Sequence, residues 1–326
     1  MAIIPIVLDA INFVEVEHHQ FRSYGAWTYA LSDYTAFNIT MRFDLPAMSL
    51  LQQNVDPFFY RHRLTMPKLV INAGMDEFQQ PDDTHYWWDQ MPEPKHFVMI
   101  PNAEHSLATG IQVAVPTAGA FITALLTRDV VPSFHWKIDS TDSGTITAVV
   151  DRGVVHEANV WFAHSCGVNN WDNGTFRRDF RVAHLDNPCS CGVFSEGYCV
   201  NLKTVWDKQS LQASTTVDGN GKRTYKASMP APSDGSWVVF FIEFKFVNKN
   251  AFDFDVTGHW KTNNNDNNKS PVSKLLQKFG KDRLPNFGGF DHDFGRFFQF
   301  TTEVSVWPDT FPYPDCIGQA CGVRLV

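Results

Sequence analysis

The stretch from Pro67 to Gly110, PKLVINAGMDEFQQPDDTHYWWDQMPEPKHFVMIPNAEHSLATG, constrains the fold more than any other part of the chain. Lys68 to Asn72 and His96 to Ile100 are short apolar runs bounded by turn residues, the pattern of buried strands. Each run delivers a polar turn at its C-terminal end. The first turn carries Asp76, Glu77, Asp82 and Asp83, and the second, Pro101 to Ser106, carries His105. Between the two runs Asp83 to Met91 is expected to be a helix with Asp82 or Asp83 as N-cap. In open parallel sheets chemistry sits at such strand ends, and an acid followed by a histidine is the second half of a Ser, Asp, His order.

The surrounding segments extend this into an α/β pattern. Ile3 to Leu8 is apolar and β-branched and reads as a strand buried on both faces, with Pro5 the one residue at odds with that reading. Val14 to Leu31 and Tyr34 to Asn54 read as two or three helices. Ile111 to Thr127 reads as a helix with Pro116 early and Arg128 at its end. Strand, helices, strand, helix, strand, helix is the order of an α/β sheet. The Tyr86-Trp87-Trp88 cluster reads as core packing.

Past Val130-Val131-Pro132 the pattern becomes all-β. Strands are expected at Phe134 to Ile138, Thr145 to Val150, Ala158 to His164, Asp179 to His184, Gln212 to Val217, Thr224 to Ser228, Trp237 to Phe246 and Phe300 to Trp307. Strands of this number and spacing suggest a β-sandwich of immunoglobulin-like type. Residues 1–130 are thus expected to form an α/β unit and residues 131–326 a β-sandwich unit. Trp171 and Trp206 would suit a carbohydrate-binding module if exposed, but read better as core. The Asn263 to Ser270 tract, NNNDNNKS, reads as a surface loop.

With 44% hydrophobic and 19% charged residues, the 326-residue chain has apolar material for a folded core. Its 27 Lys and Arg against 35 Asp and Glu, without a basic run, give no footprint for nucleic acid or anionic membrane. No apolar run approaches the ~20 residues of a spanning helix, and Met1 to Asp9 lacks the n-region and cleavage site of a signal peptide. Against that, Cys166, Cys189, Cys191, Cys199, Cys316 and Cys321 form an even set in the second half. This suits disulfides in an oxidising compartment, with the connectivity open. Zinc is the rival reading, but Cys189-x-Cys191 and Cys316-x4-Cys321 lack paired C-x2-C knuckles. Glycosylation acceptors stand at Asn38, Asn173 and Asn268, a number expected by chance in so Asn-rich a chain.

For nucleophilic catalysis, an acid must orient a histidine that deprotonates a Ser or Cys on a sharp strand-to-helix turn. Asp76 and His105 fit the first two roles. The G-x-S-x-G elbow is absent from the sequence, and upstream of Asp76 stand only Ser23, Ser32 and Ser49, none in a Gly-flanked turn after a strand. Taken singly, an acid in a turn is commonly a cap and a histidine in a turn is commonly solvated. Asp291-His292-Asp293 and His18-His19 are read as surface residues rather than metal ligands, since neighbours on an irregular segment rarely converge on one ion. Asp82-Asp83 lacks an identifiable third ligand. No cofactor is expected.

Beyond these patterns, the segments PIVLDAINF, HHQFRSYGAWTYALSDY, PKLVINAGMDEF with QQPDD and THYWW, FVMIPNAEHSL and TTEVSVWPDTFP resemble the PhoPQ-activated pathogenicity-related protein family. The resemblance covers nearly the whole chain. It implies an α/β-hydrolase-like domain followed by a β-sandwich, in an exported, extracellular protein. By that resemblance Ile3 to Leu8, Lys68 to Asn72 and His96 to Ile100 are the sixth, seventh and eighth strands of the hydrolase sheet, with Asp76 at the acid position and His105 at the histidine position.

Family members carry a longer N-terminal segment with the first strands and the nucleophile turn, so the chain is expected to be a truncated hydrolase-like unit. Without a neighbouring strand, Ile3 to Leu8 becomes a hydrophobic edge at which another chain could pair. The functional expectation is binding rather than catalysis, with a cell-surface or extracellular protein partner, in signalling such as repression of proliferation. The alternative is a serine-hydrolase-type, esterase- or peptidase-like enzyme whose nucleophile lies outside this stretch of sequence.

Overall fold

The computed structural model describes residues 1–8, 11–139, 143–165, 177–186, 189–213, 221–249, 253–254, 260–261 and 295–326. The chain is mixed, 27% helical and 32% strand, with its strands divided among several sheets. In chain order the first half holds α1 (Phe13–Tyr24), α2 (Ser32–Ala36), α3 (Pro46–Val55), β1 (Lys68–Ala73), β2 (Lys95–Ile100) and α4 (Ile111–Thr127).

The second half holds β3 (Ser133–Asp139), β4 (Gly144–Arg152), β5 (Val155–His164), β6 (Ala183–His184), β7 (Gly192–Ser195), β8 (Tyr198–Asn201), β9 (Asp207–Ser210), β10 (Thr224–Met229) and β11 (Val238–Val247). They are followed by β12 (Asp253–Phe254), β13 (Trp260–Lys261), β14 (Phe297–Thr301) and β15 (Ser305–Trp307).

β1 and β2 pair in parallel, from Lys68 opposite Lys95 to Ala73 opposite Ile100. Ile3 and Ile6 add parallel bridges to Lys68 and Ile71 on the other side of β1. The expected strand is there in part. Pro5 fits because its carbonyl accepts the Ile71 N–H at 3.0 Å and no N–H is asked of it. The run is not buried on both faces, however. Ile4 and Val7 pack on the core while Ile6 and Leu8 are 48% and 41% exposed, and Val7, with φ 47°, breaks the extended backbone.

The strand pair itself is covered on both faces. Leu69, Ile71, Val98 and Ile100 enter one apolar cluster, and Val70, Phe97 and Met99 enter another. α4 lies on the first face, burying Ala114, Thr117, Ala120, Phe121 and Ala124 at helical spacing. It ends at Arg128, whose φ of 57° and N–H bond to the Ala124 carbonyl close the last turn. α1 ends at Gly25, with φ 65°, against the Tyr313 ring, which leaves no room for a Cβ.

In the second half β10, β4 and β3 form an antiparallel sheet in that order, with β3 at one edge. A larger sheet runs β14, β11, β5, β9, and β15 continues the β14 edge of β11. β11, VVFFIEFKFV, connects the whole. Phe240, Ile242, Phe244 and Phe246 point into the cluster holding β4 and α4, whereas Val239 and Phe241 point into the cluster holding Trp87, Trp88 and Trp206. Among the described residues, disulfides join Cys189 to Cys199 in β8 and Cys316 to Cys321 near the C-terminal end, fastening loop-rich segments.

Several sequence expectations shift. Asp83 to Met91 is two 3-10 turns, Asp83–Tyr86 and Trp88–Gln90, and Asp82 makes no capping bond because its carboxylate is committed elsewhere. The Phe300 to Trp307 run is broken between β14 and β15, and Asp179 to His184 is strand only at its end. Asp207–Ser210 forms the strand β9, and Gln212 and Ala213 of the expected Gln212 to Val217 strand lie outside it. Trp87, Trp88 and Trp206 are core, as expected. Residues 214–217, Trp171, Cys166, the Asn263 to Ser270 tract and Asp291-His292-Asp293 lie outside the described residues.

Candidate functional site

Parallel pairing brings the C-terminal ends of β1 and β2 side by side, and their two turns meet. Gly74 N–H bonds the Ile100 carbonyl at 2.9 Å and Met75 N–H bonds the Ala103 carbonyl at 2.9 Å, which fixes one turn against the other. Trp206 packs over the junction. Its indole N–H reaches the Gly74 carbonyl at 3.2 Å, and a Cβ on Gly74 would lie 3.0 Å from that nitrogen. Asn102, at φ 57°, exchanges two hydrogen bonds with the Trp206 backbone.

Asp76 and His105 come together here. Asp76 is 3% exposed, and its Oδ1 accepts from the N–H groups of Phe78 at 2.7 Å and Gln79 at 3.2 Å. Those bonds hold the carboxylate still, and His105 Nδ1 lies 2.9 Å from Oδ2 and 3.1 Å from Oδ1. The His105 backbone N–H donates to Glu77 Oε2 at 3.1 Å, and the Phe78 ring covers the imidazole at 4.4 Å. The imidazole side chain is 36% exposed, and among the described residues nothing is hydrogen-bonded to Nε2. The adjacent hydroxyl, Ser106, is occupied by Glu104 at 2.6 Å.

The hydrogen bond to Asp76 raises the His105 pKa above its ordinary value of 6.5. Burial opposes the rise, while the charges of Asp76, Glu77 and Glu104 reinforce it. Burial likewise raises the Glu77 carboxyl. An imidazole whose Nδ1–H is held by a buried carboxylate presents Nε2 outward as a proton acceptor, the geometry of an oriented general base.

Behind this pair lies a buried charge lattice that sequence patterns missed. His19 Nδ1 sits 2.6 Å from Asp83, Arg178 donates to His19 Nε2 at 2.8 Å, and Arg178 also binds Asp82 at 2.5 and 3.2 Å. Three residues on, Arg181 clasps Asp179 through Nε and a terminal nitrogen at 3.0 and 2.7 Å and donates to Thr28 Oγ1 and the Val326 carbonyl. Thr28 in turn donates to the Glu77 carbonyl at 2.6 Å. Burial alone would push the Asp82 carboxyl up, but Arg178 and His19 hold it well below the usual carboxylate range. Among the described residues, Glu17 on α1 has no such cation. It is fully buried, its Oε2 finds no hydrogen-bond partner, and desolvation pushes its pKa up to about 8.

His18 and His19 are therefore not surface residues, contrary to the sequence expectation, because each ring is built between acidic side chains. His18 lies 2.7 Å from Asp315 and 3.1 Å from Asp44. His18, Asp315 and Cys316 lie close enough to consider a metal ion, but the Cys316 sulfur is in the disulfide with Cys321 and both His18 nitrogens are engaged. These donors suit an internal clamp. The run Arg177-Arg178-Asp179-Phe180-Arg181 was the one available sequence signal for the lattice, since so many alternating charges around a Phe do not suit an exposed strand.

Comparison with known proteins matches residues 1–181 to the model of the PhoPQ-activated pathogenicity-related protein family. The chain is also similar to autocrine proliferation repressor protein A of Dictyostelium discoideum, 30% identical over 333 aligned positions covering 99% of this chain. The alignment takes in 54% of that relative, so the chain spans about half the length of the curated protein it matches. No solved structure matches it.

The geometry predicts the titration of His105. In an NMR pH titration its midpoint lies above the ordinary 6.5, and Asp76→Asn, which keeps an acceptor for the Phe78 N–H but removes the charge, brings it down. An unchanged midpoint would show that Asp76 does not set the histidine's protonation.

Proposed function

The chain belongs to the PhoPQ-activated pathogenicity-related protein family, and from that premise we propose that it acts by binding, in extracellular signalling of the kind named in its relative, the repression of proliferation. The observation that carries this reading is the 30% identity over 99% of the chain to an autocrine repressor. Disulfides at Cys189–Cys199 and Cys316–Cys321 suit an oxidising, extracellular setting. No described helix is long and apolar enough to cross a membrane. On this reading residues 1–130 derive from an α/β-hydrolase-like unit and residues 131–326 form a β-sandwich, and the partner is a protein at the cell surface or outside it.

A second reading is favoured by one observation, the buried Asp76 that holds His105 with Nε2 outward. In a serine-hydrolase-type reaction this pair would take the proton from a hydroxyl nucleophile and return it to the leaving group. Among the described residues no hydroxyl or thiol is bonded to Nε2, so the binding reading stands first for this chain. It predicts no turnover of p-nitrophenyl acetate above buffer by the purified chain, and no difference on His105→Ala. Turnover that His105→Ala abolishes would refute it in favour of the hydrolase.

The exposed side of the Ile3 to Leu8 segment is proposed as a pairing edge. β1 satisfies one side of this backbone, and no described strand lies on the other. With Ile6 and Leu8 exposed, the edge is apolar as well as open. Sedimentation of the chain is expected to show concentration-dependent association that Ile6→Lys suppresses. A monomer at all concentrations would contradict the pairing edge.

A further inference from the structure

A groove of about 970 Å3 lies away from the Asp76–His105 pair, between β3 and the N-terminal end of β2. β3 forms one wall from Ser133 to Ile138, and it is the edge strand of its sheet, with no described strand on its free side. At ~3.4 Å per residue its seven residues offer about 24 Å of open backbone. The floor is aromatic. Trp88 and Trp136 stack with centroids 6.1 Å apart and an interplanar angle of 25°, and Phe134 abuts Trp136 at 5.4 Å.

One acid is set into this floor. Glu303 is 7% exposed, lines the groove, and receives the Trp136 indole N–H at 3.2 Å. Among the described residues no basic side chain forms an ion pair with it. Burial raises its carboxyl pKa, and His85, the Thr84 hydroxyl and the Trp136 N–H only partly offset this. Two of the neighbouring charges are already engaged. Lys95 donates to the Trp88 carbonyl at 2.6 Å with its ammonium over the Trp88 ring, and Asp151 is held by Lys222 and His135. A buried carboxylate beside flat aromatic rings is complementary to a long basic side chain, with the methylene stem on the rings and the cation at the acid.

We propose that this groove binds an extended peptide that pairs with the free edge of β3 and places a lysine or arginine side chain over Trp136 against Glu303. The open edge supplies main-chain hydrogen bonds to any extended chain, and Glu303 supplies the selection at one position. The proposal is independent of whether the Asp76–His105 pair is catalytic, because neither residue lines the groove.

The test uses pooled heptapeptides that alternate Val, Thr, Ile and Tyr around a central position fixed as Lys, Arg, Glu or norleucine. They are captured on the immobilised full chain, and the selected peptides are then measured by calorimetry. Lys or Arg is expected to exceed norleucine by at least about tenfold in affinity, Glu not to bind, and Glu303→Gln to remove the preference while the melting temperature is retained. N-methylation of alternate peptide amides is expected to weaken binding by a similar factor, an arm that needs no protein variant. Overturning results are no selected peptide, a basic preference unchanged in Glu303→Gln, or N-methylated peptides that bind equally well. Capture of maltohexaose, run alongside, with no peptide selected would assign the groove to a glycan and also overturn the proposal.

Discussion

A guanidinium with no water around it must find its counter-charge within the protein, and of the three buried arginines, Arg177, Arg178 and Arg181, the last two tie together distant segments. Each is buried, and each recruits partners from segments far apart in sequence. Arg178 gathers Asp82 from the turn region after β1 and His19 from α1, while Arg181 gathers Asp179, Thr28 and the Val326 carbonyl. Removing one partner from such a pair leaves a bare buried charge, at a cost of about 3–5 kcal/mol. The lattice adds a requirement that apolar packing lacks: α1, the acidic turn, the 177–181 segment and the C-terminal residues must all be in place together.

The candidate site inherits its order from that requirement. Thr28 carries the lattice from Arg181 to the Glu77 carbonyl, and Glu77 receives the His105 backbone N–H. Trp206 fixes the other side by reaching Gly74 and Asn102, one in each turn. The Asp76–His105 pair is thus held by side chains from both halves of the chain. β11 does the same for the apolar interior, since its alternate residues enter two clusters that each include β1 and β2.

Much of this was legible in the sequence where a single periodicity decides the outcome. α4 runs from Ile111 to Thr127 as its apolar spacing indicates, and β3, β4, β5, β10 and β11 fall where alternation and turn residues place them. Asp76 and His105 were legible because parallel strands bring their C-terminal ends together, so two turns distant in sequence become neighbours. His18, His19, Asp82 and Arg178 were not, because a charge reads as exposed until its partner is known, and the partners lie tens to hundreds of residues away. Local rules also missed the 3-10 turns at Asp83–Tyr86 and Trp88–Gln90, where the commitment of Asp82 and Asp83 to the lattice outweighs capping. Glu303 escaped for the same reason, an acid whose burial follows only from the break between β14 and β15.

The central claim is that the buried lattice, acting through Thr28, holds the acid–histidine pair in register. The most direct measurement is the low-field proton NMR signal of the His105 Nδ1–H bridging to Asp76, recorded in the native chain and in Thr28→Val, which keeps the shape and removes the hydroxyl. The native chain is expected to show a resolved signal that broadens or disappears in Thr28→Val while the aliphatic core resonances are retained. A signal of the same position and width in both would contradict it.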